Sequence, residues 1–259
     1  VALSVTESGT PAAPSIVFLH GVGASGWMWK PQLAALRDCH CLNVDLPGHG
    51  RSNTVPWRSL ADTADQVAAL IRERATGGRA HVVGLSLGGY VTLVMLKRHA
   101  DLVQRAVVSG VTASPMPNGW LLPAQVWFMG SIMKRRGFLN WQANALHLAP
   151  DLQADFVENY AAMSMDAYRR ILEEAVDFRA PDALRRVSTP TLVVAGSRES
   201  KIILESVEAI PRLMPNAQGW LALGQRHGWN VDAPDLFSAM LRAWFTEAPL
   251  PVQLRQVVG

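Results

Sequence analysis

The sequence predicts an α/β protein with a mostly parallel central sheet and helices on both faces, on three observations. Apolar runs of strand length alternate with stretches of helical periodicity. A serine set between two glycines, Gly84-Leu85-Ser86-Leu87-Gly88, joins one such run to one such helix. A chain of 259 residues, 49% hydrophobic and 17% charged, carries enough apolar material for a large core, which excludes a disordered or fibrous protein.

In chain order, strands are expected over residues 2–5, 16–19, 41–45, 80–83, 106–109, 192–195 and 219–222. Runs such as Ile16-Val17-Phe18-Leu19 and Leu192-Val193-Val194-Ala195 are apolar throughout, the pattern of strands covered on both faces. Helices are expected over residues 28–37, 60–74, 87–99, 202–214 and 234–244. The alternation stops between residue 111 and about residue 188, where the pattern turns helical and Trp, Met and Phe are dense in the first half. So long an excursion between two sheet strands is expected to be an inserted cap. The chain then divides into a core domain, residues 1–110 and 189–247, a helical cap or lid, residues 111–188, and a C-terminal tail, residues 248–259. The tail holds Pro249 and Pro251 and is expected to wrap the surface or fray.

The net charge is only +3, from 24 basic and 21 acidic side chains. The pairs Arg135-Arg136, Arg169-Arg170 and Arg185-Arg186 are scattered, as on solvated helix faces, so no nucleic-acid partner is expected. No run reaches the ~18 apolar residues of a membrane helix, and no membrane insertion is expected. Cys39 and Cys41 stand two apart in a predicted strand, a poor arrangement for a disulfide, which makes a cytoplasmic protein the default expectation. No cluster of His, Cys and carboxylates has metal-ligand spacing, and no cofactor is expected.

The chemistry starts at Ser86. A serine forced onto a sharp strand-to-helix turn exposes its hydroxyl above the sheet, and flanking glycines are needed because a Cβ there would meet the neighbouring strand and helix. Residues 80–83 and 90–99 read as that strand and that helix. A nucleophilic serine needs a base. His227, in Gly224-Gln225-Arg226-His227-Gly228, follows the last predicted strand and precedes the last helix, so a loop can carry its imidazole over the sheet. His20, His40, His49, His81, His99 and His147 sit in or beside regular elements or a glycine-rich turn, where packed or solvated roles suffice.

The acid that orients the histidine is expected after a strand between Ser86 and His227. Glu199 fits, at the fourth position of the turn that follows Thr191-Leu192-Val193-Val194-Ala195. No Asp or Glu lies between Leu102 and Pro150, which closes the route through the preceding strand; Glu205 and Asp232 are the rivals. Two backbone donors are needed for the oxyanion of acyl transfer. Leu87 N–H at the start of the helix and Val22 N–H in His20-Gly21-Val22-Gly23 are the candidates.

With these residues in view the chain resembles the α/β-hydrolase superfamily, in its single-domain esterase, lactonase and haloperoxidase-like branch. The segments HGVG at 20–23, DLPGHGRS at 45–52, GLSLGG at 84–89, and GSRE with GQRHGWN at 196–199 and 224–230 carry the resemblance. It implies the α/β-hydrolase fold and a serine hydrolase acting through an acyl-enzyme. Relatives commonly have Asp where this chain has Glu199. The dehalogenases and epoxide hydrolases of the superfamily use Asp at the elbow, and Ser86 argues against both chemistries.

A rival reading comes from Gly21-Val22-Gly23-Ala24-Ser25-Gly26, a G-x-G-x-x-G with Asp45 about 20 residues on, as in a dinucleotide-binding oxidoreductase. Trp27 and Trp29 oppose it, because a close pyrophosphate approach wants small residues there. The expected partner is a small lipophilic ester or lactone, under an apolar roof of Trp120, Trp127, Phe128, Met129, Met133, Phe138 and Trp141, with Trp229 bordering the pocket or packing beneath the last helix. Carbon–carbon bond hydrolysis by the same triad, and ligand sensing with slow turnover, are the alternatives.

Overall fold

A computed structural model of the chain describes residues 2–119, 121, 134–145 and 148–258. Eight strands form one sheet: β1 Val5–Gly9, β2 Ser15–Leu19, β3 His40–Val44, β4 Ala80–Leu85, β5 Val103–Ser109, β6 Thr191–Gly196, β7 Ala217–Ala222 and β8 Leu254–Val258. They lie in the order β1-β3-β2-β4-β5-β6-β7-β8. The inner strands are parallel, and β1 and β8 run antiparallel along the two edges. The helices are α1 Lys30–Ala35, α2 Leu60–Arg74, α3 Leu87–His99, α4 Arg136–Ala145, α5 Pro150–Ala162, α6 Met165–Val176, α7 Lys201–Leu213, α8 Trp229–Asp232 and α9 Pro234–Thr246.

The two-residue period of the strands divides the core. Val17 and Leu19 face one layer with Leu42, Val44, Val82 and the buried sides of α2 and α3. Ile16 and Phe18 face the other, with Cys41, Val83, Val107 and residues Phe237, Met240, Leu241 and Trp244 of α9. Both faces are covered, so β2, β3 and β6 have no exposed residue; β2 and β6 read as largely apolar runs, while β3 also buries His40 and Asn43.

Four expectations need correction. The first strand is Val5–Gly9, not residues 2–5, because an edge strand needs no buried face; Thr6 and Glu7 are exposed. The helix expected over 28–37 is a 3₁₀ turn, Gly26–Trp29, followed by the six-residue α1. Cys39 precedes β3, and only Cys41 lies within it. The tail neither wraps nor frays: Leu254–Val258 is β8, paired with β7.

Helices α4 to α6 lie between β5 and β6. Leu139, Ala143, Leu152, Phe156, Tyr160 and Met163 form an apolar cluster of their own, joined by Trp27 and Val231 from outside it. Ala167 and Ile171 of α6 join the main core. Glu174 of α6 accepts Leu60 N–H with both oxygens, at 2.9 and 3.0 Å, and Trp57 Nε1–H at 3.3 Å, so α6 is fastened to the start of α2.

Candidate active site

The strand order sets the carboxyl ends of β4, β5, β6 and β7 side by side, and Ser86, Glu199 and His227 follow β4, β6 and β7 in turn. Ser86 ends β4 with φ 55° and ψ −114°, a conformation that costs a non-glycine residue about 1–3 kcal/mol. The surroundings hold it there. Ser86 N–H donates to Ser109 carbonyl at 2.8 Å, and Ser86 carbonyl accepts Tyr90 N–H at 3.1 Å to open α3. The glycines are steric requirements: a Cβ on Gly88 would sit 2.0 Å from Leu19 carbonyl oxygen, and one on Gly84 2.1 Å from that of Gly88.

Glu199 and His227 meet above the next strand. His227 Nδ1 lies 2.6 Å from Glu199 Oε2, in a contact between a side chain 46% exposed and one only 2% exposed. The longer arm of Glu therefore reaches the imidazole. Its other oxygen, Oε1, is buried without a hydrogen-bond partner. Backbone packing carries the two loops together: Arg198 N–H donates to Gln225 carbonyl at 2.9 Å, and a Cβ on Gly196 would lie 2.5 Å from that same oxygen. Gly110, at φ 66°, floors the pair; a Cβ there would lie 2.7 Å from His227 Cε1 and 3.3 Å from Glu199 Oε1. Of the rivals, Glu205 pairs with Lys201 at 3.6 Å, and Asp232 lies on α8 beyond the loop. A second Ser–His–Glu row, Ser15–His40–Glu7, is sealed: Ser15 is wholly buried and its Oγ already accepts Thr76 N–H at 2.8 Å.

The loop after β2 flanks the serine, since a Cβ on Gly21 would touch Ser86 Cβ at 3.4 Å. Among the described residues neither Val22 N–H nor Leu87 N–H has a protein acceptor. Leu87 N–H also stands at the positive end of α3. Two wholly buried histidines shape this loop. His20 Nδ1 donates to Gly21 carbonyl at 2.8 Å while Nε2 accepts Leu46 N–H at 2.9 Å. His49 Nδ1 donates to Pro47 carbonyl at 2.9 Å while Nε2 accepts Gly23 N–H at 3.2 Å. Each ring needs to be neutral for that pattern, and burial pushes His20 down to about 4 and His49 to about 3, the neighbouring His20 adding to the second shift.

The expected pocket residues fare differently. Trp229 does not border a pocket: it is wholly buried, its Nε1–H donates to Ser109 Oγ at 3.2 Å, and its ring lies 4.5 Å from that of Phe237 on α9. Trp141 is 64% exposed, with Phe138 beside it, and among the described residues it covers no site residue. Trp120, Trp127, Phe128, Met129 and Met133 lie outside the described residues. Sequence reasoning missed Ser109, Gly110, His49 and Asn159 as parts of the site; a glycine closing a buried strand and the His-Gly pair in the 45–52 turn were the available signals. The dinucleotide reading loses its ribose ligand, because Asp45 already accepts Gly26 N–H at 2.8 Å and Arg51 N–H at 3.0 Å. Among the described residues no group of three His, Cys, Asp or Glu side chains could hold a metal ion, and no helix is long and apolar enough to cross a membrane.

Comparison with known proteins gives the family of the chain. The model of the alpha/beta hydrolase family matches residues 16–240. An AB hydrolase superfamily protein of Gibberella zeae is 28% identical, over 95% of this chain and 84% of its own length. The 3-oxoadipate enol-lactonase 1 of Acinetobacter baylyi is 23% identical over 91% of this chain and 90% of its own. Among solved structures, a hydrolase from Pseudomonas aeruginosa superposes with a TM-score of 0.77 at 26% identity, covering 94% of each chain.

Proposed function

This chain belongs to the alpha/beta hydrolase family, and we propose that it is a serine hydrolase cleaving a carboxylic ester or lactone through an acyl-enzyme. The observation that carries the reading is the alignment of Glu199 Oε2 and His227 Nδ1 at 2.6 Å over Gly110, beside the strained Ser86 at the end of the neighbouring strand. Glu199 accepts Nδ1–H, which leaves Nε2 as the proton acceptor. His227 takes the Ser86 hydroxyl proton as Oγ attacks the carbonyl carbon. Val22 and Leu87 N–H stabilise the oxyanion, each such donor being worth typically ~10²–10³ in turnover. His227 then protonates the leaving oxygen, and water, deprotonated by His227, releases the acid. Glu199 orients the ring and offsets its charge while it is protonated. Residues 111–188 act as the cap, and their content of Trp, Phe and Met favours a lipophilic substrate.

The test is a panel of activated aryl esters, lactones and ring-cleavage diketones, run on the protein and on Ser86→Ala. Rapid ester or lactone turnover is expected, with a loss of roughly 10³-fold or more in Ser86→Ala. A fluorophosphonate should add to Ser86, read by peptide mass. Full turnover in Ser86→Ala would overturn the assignment; turnover of diketones alone would shift the reading to carbon–carbon hydrolysis, and a single slow turnover to a sensor.

A further inference from the structure

Gly23, the residue after the oxyanion donor Val22, is held from three directions. Its N–H goes to His49 Nε2 at 3.2 Å. Its carbonyl accepts Asn159 Nδ2–H at 3.0 Å. The ring of Tyr160 covers its Cα, so that a Cβ would lie 2.6 Å from Tyr160 Cε2. With φ at +76°, Gly23 is also where the loop turns back, and displacing its peptide rotates the one before it, which carries Val22 carbonyl and Gly23 N–H.

Asn159 and Tyr160 come from α5, not from the sheet domain that holds the serine. Asn159 is 7% exposed, and its amide spends both ends on backbone: Nδ2 on Gly23 carbonyl, Oδ1 on Gly50 N–H at 2.8 Å. Gly50 belongs to the turn whose His49 holds the other side of Gly23. One amide thus ties the loop after β2 to the turn after β3. A primary amide supplies a donor and an acceptor from one planar group. Apart from the exposed Lys30–Asp155 pair, the rest of α5 packs through apolar side chains, which constrain distance far less sharply than a pair of hydrogen bonds.

We propose that Asn159 is a positioning residue for the oxyanion donor Val22, so that the geometry of the oxyanion pocket depends on the seating of α5. This rests on the serine-hydrolase reading above. Seated, α5 fixes Gly23 and aims Val22 N–H; lifted, it frees Gly23 carbonyl and Gly50 N–H together and the donor loses its aim. The proposal makes catalysis, rather than substrate binding alone, sensitive to the helical segment.

The experiment compares Asn159→Ala and Asn159→Asp with Gln153→Ala on an activated aryl ester. Asn159→Asp keeps the acceptor for Gly50 N–H and replaces only the donor to Gly23, which guards against a fold lost in Asn159→Ala. Gln153 sits on the same helix and donates to Leu148 carbonyl at 2.8 Å, touching neither loop, so it reports on α5 stability alone. Both Asn159 variants should lower kcat roughly tenfold to hundredfold with KM within about twofold, a fraction of what a whole oxyanion donor is worth. Inhibition by an alkyl trifluoromethyl ketone, whose hemiketal oxyanion occupies the same pocket, should weaken by the same factor. Gln153→Ala should keep wild-type kcat. Unchanged kcat in folded Asn159→Asp, or a KM effect alone, would overturn the proposal while leaving the hydrolase reading intact; activity retained in Ser86→Ala would overturn both.

Discussion

The ends of β4 to β7, which carry the candidate site residues, and the helices α4 to α6, which lie between β5 and β6, are held by different physics. At the strand ends close approach depends on missing side chains: backbone meets backbone at Gly88 against Leu19 carbonyl and Gly196 against Gln225 carbonyl, and Gly110 leaves room for the His227 ring. In the helical stretch single side chains reach across to backbone in the sheet domain: Asn159 to Gly23 and Gly50, Glu174 to Leu60, with Lys30 paired to Asp155. The first kind of contact admits one residue type at each position and fails outright when that type changes. The second loses one hydrogen bond at a time.

That contrast can be broken by measurement, and the largest effect is expected at Gly88. A methyl group placed 2.0 Å from Leu19 carbonyl oxygen has no flexible neighbour to displace, so Gly88→Ala should cost about 3 kcal/mol or more and abolish ester turnover. Urea unfolding of the variant checks this, and wild-type stability would mean that the elbow yields. Acid should act next, on the loop both regions share. His20 and His49 are neutral when folded, with values near 4 and 3 against about 6.5 in the unfolded chain. The unfolded state therefore binds more protons in this range. Their contribution to stability is complete above pH ~6.5 and is lost as pH falls through those lowered values. Unfolding curves at pH 7, 5.5 and 4 should lose about 2 kcal/mol or more across the series, and His49→Gln should flatten the slope. The smallest effect belongs to the side-chain-seated region. Glu174→Ala leaves Leu60 N–H and Trp57 Nε1–H without their acceptor, at an expected ~1–2 kcal/mol, read as faster limited proteolysis within residues 148–176 while the sheet domain stays resistant. Equal losses in Glu174→Ala and Gly88→Ala would erase the distinction.

The same contrast explains what could be read from the chain alone. Gly84, Ser86, Gly88 and the His20-Gly21-Val22-Gly23 loop are legible because each position tolerates so few residue types that the type is itself a statement about geometry. Glu199 and His227 were legible by elimination and by their places after apolar runs. Asn159 was not, because an Asn within a helix has no local signature and its two partners lie 109 and 136 residues away. Trp229 carried two readings, pocket border or core, and burial against Phe237 with a bond to Ser109 decided for the core. Strands β1 and β8 escaped correct placement for one reason: each pairs on one side only and lacks the apolar run that marks an inner strand.

Strand β8 also has a consequence for anything done to the end of this chain. It pairs Leu254 with Ala222, and just beyond, Leu223 N–H donates to Gln253 carbonyl at 3.0 Å, a few residues before His227. Trimming residues 250–258, or pulling on them through a bulky fusion, would uncover β7 as a template for intermolecular strand pairing and slacken the mooring of the histidine loop at once. Loss of turnover and the onset of self-association should therefore arrive together in such variants, as two symptoms of one unzipped ladder.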